Sequence, residues 1–107
     1  MIPHNKPTLG SREVSAVSRV INSGWVAQGK EVSQFEDEIS RFLGLDKGHT
    51  ILVSSGTAAL HLISLALLSK NDKVLTTPNS FLATSNSILY VDAKPIFVDI
   101  KEDGNIN

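Results

Sequence analysis

The run Val53-Ser54-Ser55-Gly56-Thr57-Ala58-Ala59-Leu60 carries the densest chemistry in this chain. An apolar triplet ends, a small polar turn follows, and an apolar segment with helical character begins. The first N–H groups of a helix have no partner within it, and the aligned peptide dipoles put partial positive charge at the same end. Gly56, Thr57 and Ala58 would therefore present open amides to an anion. Gly56 would admit it without a Cβ in the way, and the Ser55 and Thr57 hydroxyls would add donors. Together these make a phosphate cradle. The same residues also suit an ordinary serine-capped helix start, and the local pattern does not choose between the two. A Gly-Lys-Ser/Thr loop and a three-glycine dinucleotide fingerprint are both absent.

A second cluster, Pro78-Asn79-Ser80-Phe81-Leu82-Ala83-Thr84, follows the next apolar segment. Pro78 fixes a turn, and Asn79 or Ser80 is placed to cap a helix. Phe81 offers a flat face to a flat ligand ring, with packing into the core as the plainer alternative. Trp25 and Gln28 sit in a loop bounded by Gly24 and Gly29. The histidines, His4, His49 and His61, show no metal-ligand spacing. His61 falls on an apolar helix beside Ser64, where a locally hydrogen-bonded, structural imidazole is expected. Asp37 and Glu38 read as a solvated helix face.

The elements that must position these groups follow from periodicity. Residues 1–10, with Pro3, Pro7 and Gly10, are irregular. Ser11 is placed to cap a first helix, Glu13 suits its dipole, and Val14, Val17, Val20 and Ile21 form its apolar face. Asn22-Ser23-Gly24 stops it. Val32, Phe35, Ile39, Phe42 and Leu43 make the stripe of a second helix ended by Gly44. From there the pattern changes to strand Ile51–Val53, a buried helix over 57–69, strand Val74–Thr76, helix Phe81–Val91 and strand Ile96–Ile100. Continuous apolar strands alternating with helices predict an α/β unit, β-α-β-α-β, with a parallel sheet. Ligands in such units lie at the carboxyl ends of the strands, where both clusters fall.

Composition sets the outer limits. The chain has 107 residues, a formal net charge of -1, 41% hydrophobic and 20% charged residues, and no cysteine. Its basic residues are scattered from Lys6 to Lys101, which argues against an electrostatic nucleic-acid or membrane surface. Disulfides and thiolate metal sites are excluded, and a reducing cytoplasm is the expected compartment. Met1 to Gly10 carries no apolar run, so no signal peptide is expected there. The apolar stretch at 58–68 is too short and too polar to span a bilayer.

The motifs, taken in order, bring a family into view. Lys6-Pro7-Thr8-Leu9-Gly10, Ser23-Gly24-Trp25-Val26-Ala27-Gln28-Gly29, Phe35-Glu36 and Ser54-Ser55-Gly56-Thr57-Ala58-Ala59-Leu60-His61-Leu62 are followed by Asp72-Lys73-Val74-Leu75-Thr76-Thr77-Pro78, Phe81-Leu82-Ala83-Thr84-Ser85-Asn86 and Ala93-Lys94-Pro95-Ile96-Phe97-Val98-Asp99-Ile100. In this order and spacing the chain resembles the DegT/DnrJ/StrS-type sugar aminotransferases, a branch of the fold-type I pyridoxal-phosphate (PLP) enzymes. The resemblance implies that Gly56, Thr57 and Ala58 contact the PLP phosphate and that Phe81 stacks on the pyridine ring. It also implies that Trp25 and Gln28 lie on the substrate side, near a dimer partner. Glutamate would be the amino donor and a nucleotide-linked keto-sugar the acceptor. Residues 1–49 would be an N-terminal arm with two helices, and residues 50–107 the start of the cofactor-binding large domain.

Two departures follow from the same resemblance. Family members are several times longer, and none of Lys6, Lys30, Lys47, Lys70, Lys73, Lys94 or Lys101 matches the lysine that holds the cofactor. Asp99 does not match the aspartate that pairs with the pyridine nitrogen. The family's sheet order, 3-2-4-5-6-7-1, would also separate the Ile51 strand from the other two. The chain is therefore expected to be an N-terminal piece, inactive alone, that associates with itself or with a complementing C-terminal polypeptide. A non-catalytic, partner-binding remnant and a sugar dehydratase of the same family are the alternatives.

Overall fold

The computed structural model describes residue 2 and residues 4–107. Helices α1 (Ser11–Ser23), α2 (Lys30–Phe42) and α3 (Gly56–Leu67) are followed by strand β1 (Lys73–Thr76), helix α4 (Ala83–Leu89) and strand β2 (Lys94–Phe97). The chain divides into two compact units, Met1–Leu52 and Val53–Asn107. No helix among the described residues is long and apolar enough to cross a membrane.

In the first unit, α1 begins one residue earlier than its serine suggests. Gly10 is the N-cap, and Ser11 is the first helical residue. The cap is made in reverse, by the Gly10 N–H donating to Glu13 Oε2 at 2.7 Å, which satisfies an N–H that the helix itself cannot. At the other end Gly24 adopts φ +73 and donates to the Ile21 carbonyl at 3.0 Å, the left-handed stop that glycine permits. The apolar face of α1 is open, with Val14, Val17 and Ile21 all exposed. Helix α2 ends in the same way before Gly44, φ +69, and the Leu45 N–H returns to the Ser40 carbonyl at 2.8 Å. Ser40 is the most deeply buried side chain described, 1% exposed. Its hydroxyl meets Thr50 Oγ1 at 2.7 Å and ties α2 to the segment that follows.

Ile51–Val53 does not form the strand expected from its composition. No strand pairs with it among the described residues, and the Leu52 N–H is taken by Glu36 Oε1 at 2.8 Å instead. A strand exists only through a ladder partner, and apolar composition cannot supply one. The β-α-β-α-β expectation is therefore realised as α-β-α-β.

In the second unit, β1 and β2 pair in parallel with Lys73 opposite Lys94 and Thr76 opposite Phe97. The pair is fastened at its start by the Asn71 N–H to the Asp92 carbonyl at 2.9 Å and the Lys94 N–H to the Asp72 carbonyl at 2.7 Å. β2 lies earlier than the expected Ile96–Ile100. In a parallel ladder alternate residues face the partner. Lys94 and Val98 donate to β1 and its flank, so the nitrogen of Pro95 points away, where a missing N–H costs nothing. Ile100 instead bridges Ile106 in an antiparallel turn. α4 is shorter than the expected Phe81–Val91. It packs on both strands and on α3, and Ala83, Ile88 and Ala93 are the buried apolar residues of this unit.

α3 was expected to be buried, and mostly it is not. Only Ser64 is buried, while Leu62, Ile63, Leu65 and Leu67 are 47–76% exposed. Its apolar circumference meets α4 on one side only. His61 is half-buried and has no hydrogen bond to Ser64. Its ring packs edge-on against Tyr90, with centroids 5.3 Å apart.

Candidate functional site

The turn before α3 takes the shape of an anion cradle. Ser55 is the N-cap, with an extended backbone, and its Oγ accepts the Ala58 N–H at 3.1 Å. The Ala59 N–H returns to the Ser55 carbonyl at 3.1 Å. The N–H groups of Gly56 and Thr57 donate to no protein atom among the described residues. No acidic residue lies in the first turn of this helix, so its positive end is not neutralised from within. A Cβ built on Gly56 would meet nothing within 4 Å. The Thr57 and Ser54 hydroxyls have no hydrogen-bond partner among the described residues, and the Ser55 hydroxyl, an acceptor toward Ala58, still has its own hydrogen to give. Two free amides and up to three hydroxyl donors fit a phosphate dianion. Ala58, expected as a third open amide, is committed to Ser55.

Five residues, Leu68–Asp72, connect α3 to β1. Leu60, Leu67, Val74 and Thr76 line one cavity of about 270 Å³. Beyond Thr76 the chain makes a polar turn. The Asn79 N–H donates to Thr77 Oγ1 at 3.2 Å, and Ser80 Oγ meets Thr84 Oγ1 at 2.8 Å. These hydroxyls spend themselves on the turn, and neither Asn79 nor Ser80 caps α4, whose N-cap is Leu82. Phe81 stands ahead of the helix and is 78% exposed.

Lys73 and Lys94 open the two strands, opposite one another in the ladder. Lys47 pairs with Asp37 at 2.8 Å and Lys70 with Asp92 at 3.6 Å. Among the described residues no three His, Cys, Asp or Glu side chains gather to hold a metal ion.

Trp25 and Gln28 belong to the first unit. The indole Nε1 donates to the Gln28 carbonyl at 3.0 Å, and the Trp25 N–H donates to Ser23 Oγ at 3.2 Å. The loop borders a cavity of about 620 Å³ lined by Arg19, Val20, Trp25, Val26, Lys30 and Val32. Arg19 Nη2 bridges across to Glu31 Oε2 at 3.1 Å. The Gln28 side chain is exposed. Sequence reasoning noticed the glycines around this loop but missed that Gly29 lies against the indole itself.

The sequence pattern of the DegT/DnrJ/EryC1/StrS aminotransferase family matches residues 7–107. The chain belongs to this family. It is 38% identical over 103 residues to the spore coat polysaccharide biosynthesis protein SpsC of Bacillus subtilis, covering 95% of this chain and 26% of that protein. Among solved structures it is similar to PseC of Helicobacter pylori, an aminotransferase involved in the biosynthesis of pseudoaminic acid. That match has a TM-score of 0.85 at 35% identity and covers 98% of this chain and 29% of the other. It is also similar to the E. coli GDP-4-keto-6-deoxy-D-mannose-3-dehydratase with bound hydrated PLP. There the TM-score is 0.87 at 26% identity, covering 98% of this chain and 28% of the other. The chain thus spans between a quarter and a third of the length of these relatives, and its fold is the corresponding part of a PLP aminotransferase.

Proposed function

We propose that this chain is the phosphate-holding N-terminal part of a PLP-dependent enzyme that moves an amino group from glutamate to a nucleotide-linked keto-sugar. The observation that carries this reading is the pair of open amides at Gly56 and Thr57, set at the start of a twelve-residue helix with no acid in its first turn. Gly56 and Thr57 hold the cofactor phosphate through backbone N–H groups and the Thr57 hydroxyl. Ala58 contributes when Ser55 releases its amide. Phe81 covers one face of the pyridine ring and excludes water from it. Trp25 and Gln28 stand on the sugar side. Bound PLP supplies the electron sink for amino transfer.

The chain's own residues bind and orient but do not carry out the proton transfers. Those need an amine base beside the cofactor, and none of this chain's lysines matches the family's cofactor-holding lysine. A homodimer partner or a complementing C-terminal polypeptide would supply the rest. The 107-residue chain alone is expected to turn over no keto-sugar. A dehydratase of the same family is the second reading, favoured by the likeness to the E. coli 3-dehydratase.

Titration of the purified chain with PLP, followed by cofactor absorbance, tests the cradle. Thr57→Ala and Phe81→Ala should each weaken binding. The Thr57 change is expected to cost about tenfold, since a hydrogen bond to a charged group contributes about 1.5–3 kcal/mol. Absence of PLP binding at every concentration would favour a partner-binding remnant.

A further inference from the structure

The geometry points to Gly29 as a positioning residue for Trp25, fixing the indole that borders the sugar-side loop. A Cβ built on Gly29 would fall 2.3 Å from Trp25 Nε1 and 2.5 Å from Cδ1, well inside any non-bonded contact. The indole therefore lies directly against the residue 29 backbone, and a side chain there would displace the ring from this position. The backbone angles do not explain the glycine, because its φ of -166 is extended and open to any residue. The demand comes from the ring. By lying there the indole delivers its N–H to the Gln28 carbonyl at 3.0 Å. The loop thus closes on itself, ring over backbone, immediately before α2. The Trp25 N–H held by Ser23 Oγ at 3.2 Å fixes the other end. An aromatic side chain 65% exposed would ordinarily sample several rotamers. Here the hydrogen bond and the bare backbone select one, and the order is in place before any ligand arrives.

The sugar-facing purpose of this arrangement rests on the proposed function, whereas the positioning itself does not. The chain has one tryptophan, so the long-wavelength edge of the near-ultraviolet dichroism, beyond the absorption of Tyr90, and acrylamide quenching of emission excited at that edge report on Trp25 alone. Gly29→Ala is expected to abolish the indole dichroism band and raise the quenching constant about twofold, with the far-ultraviolet helical spectrum retained. An unchanged band in Gly29→Ala would overturn the assignment. Should Gly29→Ala fail to fold, the double variant Trp25→Ala/Gly29→Ala decides. Helicity restored to that of Trp25→Ala supports a clash with the ring, because the two changes then couple. A double variant as damaged as Gly29→Ala overturns it. UDP-glucose serves as the separate probe of the sugar reading. If it leaves Trp25 emission in the unsubstituted chain unaltered while the dichroism behaves as stated, Gly29 keeps its positioning role and the sugar-facing reading is lost.

Discussion

Ser55 Oγ accepts the Ala58 N–H at 3.1 Å and so divides the start of α3 into one satisfied amide and two open ones, at Gly56 and Thr57. Helix capping and anion binding compete for the same donors here, and a single substitution separates them. Aspartate caps a helix as well as serine and adds about 0.3–1 kcal/mol through the helix dipole. Its charge would also stand where a phosphate should. Ser55→Asp is therefore expected to hold or raise the melting temperature while weakening PLP binding by more than tenfold. Ser55→Ala should lower stability by about 1 kcal/mol with a much smaller effect on PLP. If Ser55→Asp leaves PLP affinity intact, the turn is a cap and not a cradle.

Ser40 and Thr50 share a 2.7 Å hydroxyl contact with Ser40 almost fully buried. Ser40→Ala removes one partner and leaves a half-buried hydroxyl without its own. The cost should be about 1–3 kcal/mol, read as a lower midpoint in urea. Ser40→Ala combined with Thr50→Val removes both polar groups and should recover part of that loss.

Glu13 is held below the usual carboxylate range, chiefly by the Gly10 N–H and further by its own backbone N–H. A carboxylate whose pKa is lowered by folding stabilises the fold above its unfolded pKa and loses that contribution as pH falls through the lowered value. Protection of the Gly10 amide against hydrogen exchange, corrected for the intrinsic rate, should therefore be full near neutral pH and vanish in acid. In Glu13→Gln the corrected protection should not change across that range.

Gly24 closes α1 at φ +73, with open space where a Cβ would be. The cost of Gly24→Ala is thus conformational and not steric, about 1–2 kcal/mol for a left-handed non-glycine residue. Thermal denaturation should show it, and Gly24→Asn, which tolerates the left-handed region better, should cost less.

The helices of the first unit were legible because their stop signals are local. Gly24 and Gly44 end α1 and α2 through their own backbone freedom, and the spacing of Val14, Val17, Val20 and Ile21 needs no partner to be read. The turn at Ser55 was legible for the same reason, since cap, glycine and open amides all lie within four residues. Ile51–Val53 pairs with no strand among the described residues, because a strand is defined by its neighbour and the neighbour is not a property of those three residues. The ends of β2 moved for the same reason, because the ladder follows β1 and not the richest run of β-formers.

Residue types and their spacing determined this chain's family, its α/β character and the anion-ready turn, since each depends on contacts a few residues long. Tertiary structure alone decided that Phe81 stands outside its helix, that Ala58 is already committed, and that an indole lies against Gly29. Those facts depend on where atoms distant along the chain, or turned by a side-chain rotamer, come to rest. Periodicity carries no information about that.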